Sequence, residues 1–468
     1  MIKAPCIQVP APKQIQKNLF PQGVANPVSL PSIWTARILL TPFGGLKSDA
    51  IVPGDQLVIG NLTYEATSPT DRYMRVGLYL FESLQYYDFF FKTSGTATQW
   101  WWLVSDPSNP NGLPTKTFGP FPTTAIVPAR DFLATNAFSH AGTWKVLGRS
   151  RDSFSARRNA KAGTWYWFDA GSNNLARIMN VDSRNDFQIA VLGAHYLADL
   201  TAVEQPASSM LGEVHKLCTQ ATVGPGPVSP MVTLPDLLNA MAAPPSGSQV
   251  RCTVNQIQAL IPGISAAKGS VSPPSWTNKV NSECYMIGQD TYPYYCQVWY
   301  DWDRGEQVTV FVQQDDTGSY NARFDEILPK GAVGPAIGYS WDGSQWTPAC
   351  CQKGGSFVSM PVPNFVEAGS GQCRALFRND PYFGTMSIWT VALGDSNKWS
   401  DFWYWFNDRQ QGVIFSLAPA RSLTIIDYQT FVQNGMIEAC IFENPCDQLP
   451  PCSEAQIVAR AKSKFVIA

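Results

Sequence analysis

Charge is scarce in this chain. Of 468 residues, only 15% are Asp, Glu, Lys or Arg, against about 25% in an ordinary soluble domain. The 34 basic and 36 acidic side chains leave a formal net charge of −2. That balance excludes a global attraction to nucleic acid or to an acidic membrane surface. Histidine is almost missing, with His140, His195 and His215 alone. No run approaches the ~18 apolar residues of a membrane-spanning helix. The opening "MIKAPCIQVPAPKQ" lacks the apolar stretch of an export signal. Glycine-rich phosphate loops, zinc-protease motifs and the G-x-S-x-G elbow do not occur. A surface this poor in charge is covered by neutral polar and apolar groups, which suits burial against partner subunits.

Cysteine is absent between Cys6 and Cys218, and the remaining copies of the 11 all lie beyond. The gaps separating Cys440, Cys446 and Cys452 do not fit the short paired spacing of a zinc site. The sequence therefore assigns no metal and no cofactor. The cysteines read as mostly buried, reduced thiols of a chain retained inside the cell, with some pairing in the second half left open.

What the chain does have is β pattern and aromatics. Residues 1–31 carry six prolines and no acidic side chain, which predicts an extended N-terminal arm. From 32 to 201, segments such as "IWTARILLTPF" and "YMRVGLYLFESL" are short, β-branched and aromatic, and are separated by turns such as "DPSNPNG". Residues 202–275 are rich in Pro and Gly and predict a linker with short helices at "LPDLLNAMAA" and "TVNQIQALIPG". The β pattern returns from 276 to 445. Residues 446–468 form a tail whose Ile457, Ala461 and Phe465 fit one helix face. The fold class expected is all-β, with two tandem antiparallel β-sandwich domains of jelly-roll type.

The tetrapeptide WYWF occurs at Trp165–Phe168 and again at Trp403–Phe406. A Trp-Thr step (Trp34, Trp276) and a Val-Pro step (Val127–Pro128, Val362–Pro363) precede both copies in the same order at similar spacing. Together these landmarks point to an internal duplication. In a strand, the two Trp of WYWF face one way and Tyr and Phe the other, so both faces must be covered.

Three groups of residues are candidates for contact with other molecules. The segment "GRSRDSFSARRNAK" gathers Arg149, Arg151, Arg157, Arg158 and Lys161 around a single Asp152, a local basic loop able to touch phosphates or a neighbouring subunit. Trp100, Trp101 and Trp102 could stack on a sugar. "FDAGS" (Asp169) and "DDTGS" (Asp316) resemble aspartic-protease loops, but they fall at different places in the repeat and are ordinary turn chemistry. No catalytic residue is assigned, and the chain is expected not to be an enzyme.

Three features resemble the coat proteins of picorna-like viruses. "NDFQIAVLGAHYL" (Asn185–Leu197) is similar to the closing strand of their jelly rolls. "GSFVSMPVPNF" (Gly355–Phe365) is similar to a late strand. The tandem arrangement resembles the large coat protein of como-like plant viruses. The resemblance implies a subunit that self-assembles with other capsid subunits into an icosahedral shell, meets genomic nucleic acid through the basic loop, and resides in the virion after assembly inside a host cell. The alternative is a carbohydrate-binding or fibre-type β-sandwich, and after it a glycosidase on a β scaffold.

Overall fold

A computed structural model describes residues 7–19, 28–42, 58–80, 85–106, 109, 111–123, 126–135, 138–159, 162–181, 195–220, 273–288, 293–314, 320–355, 360–369, 371–380, 384–391, 402–407, 412–418 and 424–453. The chain is mostly β. The first sheet is built from β1 (Ile33–Pro42), β2 (Val58–Glu65), β3 (Asp71–Leu80), β4 (Gln85–Ser94), β5 (Ala97–Val104), β6 (Lys116–Thr123), β7 (Ser139–Val146), β8 (Arg149–Asn159), β9 (Ala162–Asp169), β10 (Leu175–Val181) and β11 (His195–Glu204). The second contains β12 (Lys279–Gly288), β13 (Tyr294–Asp301), β14 (Glu306–Gln314), β15 (Tyr320–Pro329), β16 (Ala336–Trp341), β17 (Trp346–Gln352), β18 (Gln372–Asp380), β19 (Gly384–Val391), β20 (Phe402–Asn407), β21 (Gly412–Ala418) and β22 (Thr424–Gln433).

Strand order is the same in both. It runs β6-β5-β4-β3-β2-β1-β11-β10-β9-β8-β7 in the first sheet and β17-β16-β15-β14-β13-β12-β22-β21-β20-β19-β18 in the second. Every pairing is antiparallel between sequence neighbours, except that the first and last strands of each sheet also pair (β1 with β11, β12 with β22). The expected all-β, antiparallel, duplicated architecture is present. The jelly-roll connectivity carried by the coat-protein resemblance is not. A jelly roll interleaves distant strands in Greek keys, whereas these sheets are two meanders joined in the middle.

The repeat can be read rung by rung. In WYWF, Trp165 and Trp167 join one core with Met179 and Trp144, while Tyr166 and Phe168 join a second core with Ile178 and Phe154. In the second copy, Trp405 joins the same core as Trp167, and Tyr404 and Phe406 face a core of their own. One core therefore runs through both sheets, and each sheet also has a private one. A small helix covers each private core: α2 (Phe132–Thr135) and, in the second sheet, a helix at Phe365–Ala368. Phe132 meets Tyr166 at 4.9 Å and Phe365 meets Tyr404 at 5.1 Å. The hydroxyl of Tyr64 donates to Pro128 O at 2.8 Å, and that of Tyr300 to Pro361 O at 3.0 Å, pinning the loop before each helix. The matched proline is thus Pro361, two residues from the expected Pro363. The described part of "GSFVSMPVPNF" is this loop and helix start, not a strand. Most of "NDFQIAVLGAHYL" lies outside the described residues.

The N-terminal segment departs from an extended arm. Pro12–Leu19 is α1, with Pro12 at its first position, where a missing N–H costs nothing and the fixed φ favours the helix. Ile15 is fully buried in the shared core, and α1 packs on β7 of one sheet and β15 of the other. In the predicted linker, α3 (Gly212–Thr219) seals Phe90, Trp101 and Leu103 of the first sheet. Glu65 accepts hydrogen bonds from Ser209 Oγ and from the amides of Met210 and Leu211, satisfying donors at its start. The helices expected at 234–243 and 253–263, and the one beyond 453, fall outside the described residues.

Candidate functional site

The most unusual chemistry lies where the two sheets meet. Arg177 on β10 is fully buried. Its Nε donates to Asp199 Oδ1 at 2.6 Å, and its Nη1 donates to Asp427 Oδ1 at 2.8 Å. Both aspartates are 1% exposed. Trp144 Nε1 on β7 donates to Asp427 Oδ2 at 3.0 Å, and the guanidinium lies 5.7 Å from the Trp167 ring centre. One arginine of the first sheet thus binds an aspartate from each sheet.

The registers explain this asymmetry. Trp167 faces Arg177, which faces Asp199. At the matching places of the repeat, Trp405 faces Phe415, which faces Asp427. Asp427 therefore corresponds to Asp199, but phenylalanine stands where the first sheet has Arg177. The counter-charge for the second sheet comes from the first.

A second pair of matching aspartates lies further out. From Asp199 the rungs lead through Leu39, Ile59 and Tyr79 to Tyr86. From Asp427 they lead through Tyr285, Tyr295 and Val312 to Arg323. Asp88 and Asp325 each sit two residues beyond, and both are 1% exposed. Asp88 takes Arg75, with Nη2 to Oδ2 at 2.7 Å. Asp325 takes Arg323 of its own strand, with Nε to Oδ1 at 2.7 Å, and Arg323 stacks 4.1 Å from Tyr339. Buried carboxylates thus occupy equivalent positions, while their arginines come from different ones. Burial pushes all four carboxyls up and the adjacent guanidinium pulls each back.

A side-chain amide completes the junction. Strand β7 is an edge strand. The amide of Lys145 donates to Gln429 Oε1 at 2.7 Å, and Gln429 Nε2 donates back to Lys145 O at 3.0 Å. Gln429 mimics a paired backbone and blunts the edge. It sits at the register shift in β22, between the residues opposite Glu283 and Cys284, so it is the extra residue of a bulge.

The sequence-predicted contacts fall elsewhere. The basic segment is not a loop: Arg149, Arg151, Arg157 and Arg158 lie on β8. Arg149 is exposed, whereas Arg151 is 2% exposed and forms an ion pair with Asp169. That pairing draws one cation out of the phosphate-binding group and one carboxylate out of the protease-like loop. The side chains of Arg157 and Arg158 are not among those described, and Lys161 and Asp316 lie outside the described residues. Trp100 and Trp101 are 7% and 2% exposed. Trp100 meets Phe121 at 4.8 Å, and Trp101 meets Phe90 at 5.6 Å beneath α3. Trp102 is half-buried against Tyr87 and Phe89. These rings are engaged in packing, not arrayed on an open face.

The cysteines correct the reduced reading. Cys284–Cys296, Cys350–Cys452 and Cys351–Cys446 are disulfides, and Cys373 and Cys440 are disulfide-bonded too. Cys218 is free and buried. Neighbours on a strand point to opposite faces, so Cys350 and Cys351 reach different partners. The tail also pairs with this strand through backbone bonds: Cys351 N donates to Pro450 O at 2.9 Å, and Cys452 N donates to Cys351 O at 3.3 Å. The tail therefore covers the outer edge of β17.

Arg177, Asp199, Asp427 and Gln429 escaped the sequence reading. The signal available was a charged residue inside an otherwise apolar strand, as in "LARIMNV", "HYLADL" and "TIIDYQ".

Among the described residues, no group of His, Cys, Asp and Glu is placed to hold a metal ion, and no helix is long and apolar enough to cross a membrane. No protein-family model matches the chain, and no curated protein matches it by sequence. Solved structures give weak likenesses. A DUF1329 family protein from Desulfovibrio piger aligns at 10% identity and TM-score 0.23, over 36% of this chain and 90% of its own. The MucA/MucB complex of Pseudomonas aeruginosa aligns at 8% identity and TM-score 0.22, over 86% and 94%. A domain described as a putative outer membrane lipoprotein-sorting protein, from Vibrio parahaemolyticus, aligns at 10% identity and TM-score 0.20, over 40% and 90%. These are bacterial proteins and not viral coat proteins. The meander strand order and the disulfides correct the expectation of a capsid subunit in an icosahedral virion assembled inside a host cell.

Proposed function

We propose that this protein is a non-enzymatic binding scaffold of an oxidising compartment, in which two copies of one sheet form a single rigid body that engages a protein partner. The observation that carries this reading is the Asp199–Arg177–Asp427 junction. A buried ion network shared by two units resists hinge motion, because separating them strands charge in apolar surroundings. The shared core, α1 and Gln429 act in the same direction. The disulfides support the compartment, since such bonds persist where thiols are not kept reduced. A chain with only 15% charged residues and with exposed Leu113, Val333 and Met436 supports a protein partner.

The test is photo-crosslinking in the native source, from a benzophenone amino acid placed singly at Leu113, Val333 and Met436. A discrete heavier species from at least one position is expected. Monomer alone at all three positions would overturn the reading.

A further inference from the structure

The junction joins two carboxyls to one guanidinium, and among the described residues counting outward does not restore the balance. The charged groups around it come from every packed element. Arg177 is on β10, Asp199 on β11 and Asp427 on β22. Arg151 on β8 acts on Asp199 from further away, but forms an ion pair with Asp169 at the end of β9. Strand β7 contributes the neutral Trp144, β9 contributes Trp167, and β12 contributes Tyr285, 6.0 Å from Trp144. Burial pushes the Tyr285 hydroxyl above its usual range, so it stays neutral. Among the described residues, two arginines thus face three aspartates, an excess of one negative charge at residues no more than 2% exposed, apart from Asp169, whose side chain is 26% exposed.

The two carboxyls of the junction are not equivalent. Both oxygens of Asp427 accept hydrogen bonds, Oδ1 from Arg177 and Oδ2 from Trp144. Asp199 accepts from Arg177 through Oδ1, and its Oδ2 is buried with no hydrogen-bond partner among the described residues. An ionised oxygen left bare in an apolar interior costs far more than a neutral hydroxyl in the same place.

We propose that the assembled protein keeps Asp199 protonated on Oδ2 at neutral pH, with Asp427 ionised, and that loss of this proton loosens the two sheets from each other. Arg177 then neutralises Asp427, the aspartate of the other sheet, and takes the carbonyl-like Oδ1 of Asp199 as a neutral acceptor. The junction becomes a latch that is tightest in mild acid and weakens in base. The sign follows from linkage. A carboxyl that holds its proton more tightly folded than unfolded favours the folded state while protonated. That advantage declines as pH rises from the unfolded value of about 3.9 to the folded value.

The test compares the wild-type protein with Asp199→Asn and Asp427→Asn, measuring thermal unfolding midpoints from pH 5 to pH 9. It is paired with carbon-13 NMR of Asp-labelled wild-type protein at neutral pH. The NMR spectrum should contain one protonated aspartate carboxyl that disappears in Asp199→Asn. The wild-type midpoint should fall from pH 5 towards pH 9, while Asp199→Asn gains on it progressively across that range and exceeds it at pH 9. Asp427→Asn should be lowered throughout, because it leaves Arg177 without its ionised partner. A wild-type spectrum in which every buried aspartate is ionised would overturn the proposal. So would an Asp199→Asn protein less stable than wild type at every pH. Should Asp199→Asn fail to fold, the wild-type NMR measurement decides alone.

Discussion

Replacing Arg177 by methionine is the sharpest probe of how the two sheets are held. The side chain is fully buried and donates charge-assisted bonds to Asp199 and Asp427 at 2.6 and 2.8 Å. Methionine fills much of the volume, so the loss is electrostatic and not a cavity. Two charge-assisted bonds at about 1.5–3 kcal/mol each give roughly 3–6 kcal/mol. Breaking a buried ion pair by removing one partner independently gives about 3–5 kcal/mol. Against a typical domain stability of about 5–15 kcal/mol, that is a large fraction. Without the guanidinium, the pull that opposes burial on both carboxyls is gone, so both rise further above their unfolded values. Their stabilising protonated forms are then lost as pH climbs, and the variant should unfold most readily in base. The assay is equilibrium urea unfolding at pH 5 and pH 8, read separately from tryptophan fluorescence and from proteolysis between the sheets. A change below about 1 kcal/mol, or one that is larger at pH 5 than at pH 8, would refute the reasoning.

Other perturbations test the remaining joints. Gln429→Ala should cost about 0.5–1.5 kcal/mol and speed hydrogen exchange at the Lys145 amide, which loses its 2.7 Å acceptor. Cys351→Ser should remove a link spanning 95 residues and cost about 2–5 kcal/mol, seen as a lower unfolding midpoint and faster proteolysis of the tail. Tyr64→Phe and Tyr300→Phe each remove one bond to a proline carbonyl, so each should cost about 1 kcal/mol. Because these tyrosines lie in separate private cores, the double variant should be additive in urea titration. Trp101→Ala should cost about 3–5 kcal/mol and release α3, measurable by circular dichroism and exchange at Val214.

Much of the architecture was legible because β structure writes itself with period two. WYWF alternates between a shared and a private core in both copies, and its register aligns the repeat without a gap. The other landmarks were less reliable. Trp34 lies within β1, whereas Trp276 lies before β12, yet the two rings meet equivalent partners, Tyr64 at 5.6 Å and Tyr300 at 5.3 Å. Packing preserved the contact, not the position. The basic segment misled because net charge along a sequence does not show which arginine turns inward. On β8 the turn from solvent to core falls between Arg149 and Arg151.

By itself the sequence determined the class of element, the duplication and the exclusion of a helical membrane span, because these depend on local pattern and composition. Only the tertiary structure decided the strand order, the pairing of the cysteines and the partner of Asp427. Those depend on residues hundreds of positions apart meeting in space. Arg177 and Asp427 are joined across a separation of 250 residues, and no local pattern contains that contact. Periodicity tells a residue which face it occupies. Only closure of the sheets against each other tells it what it will meet there.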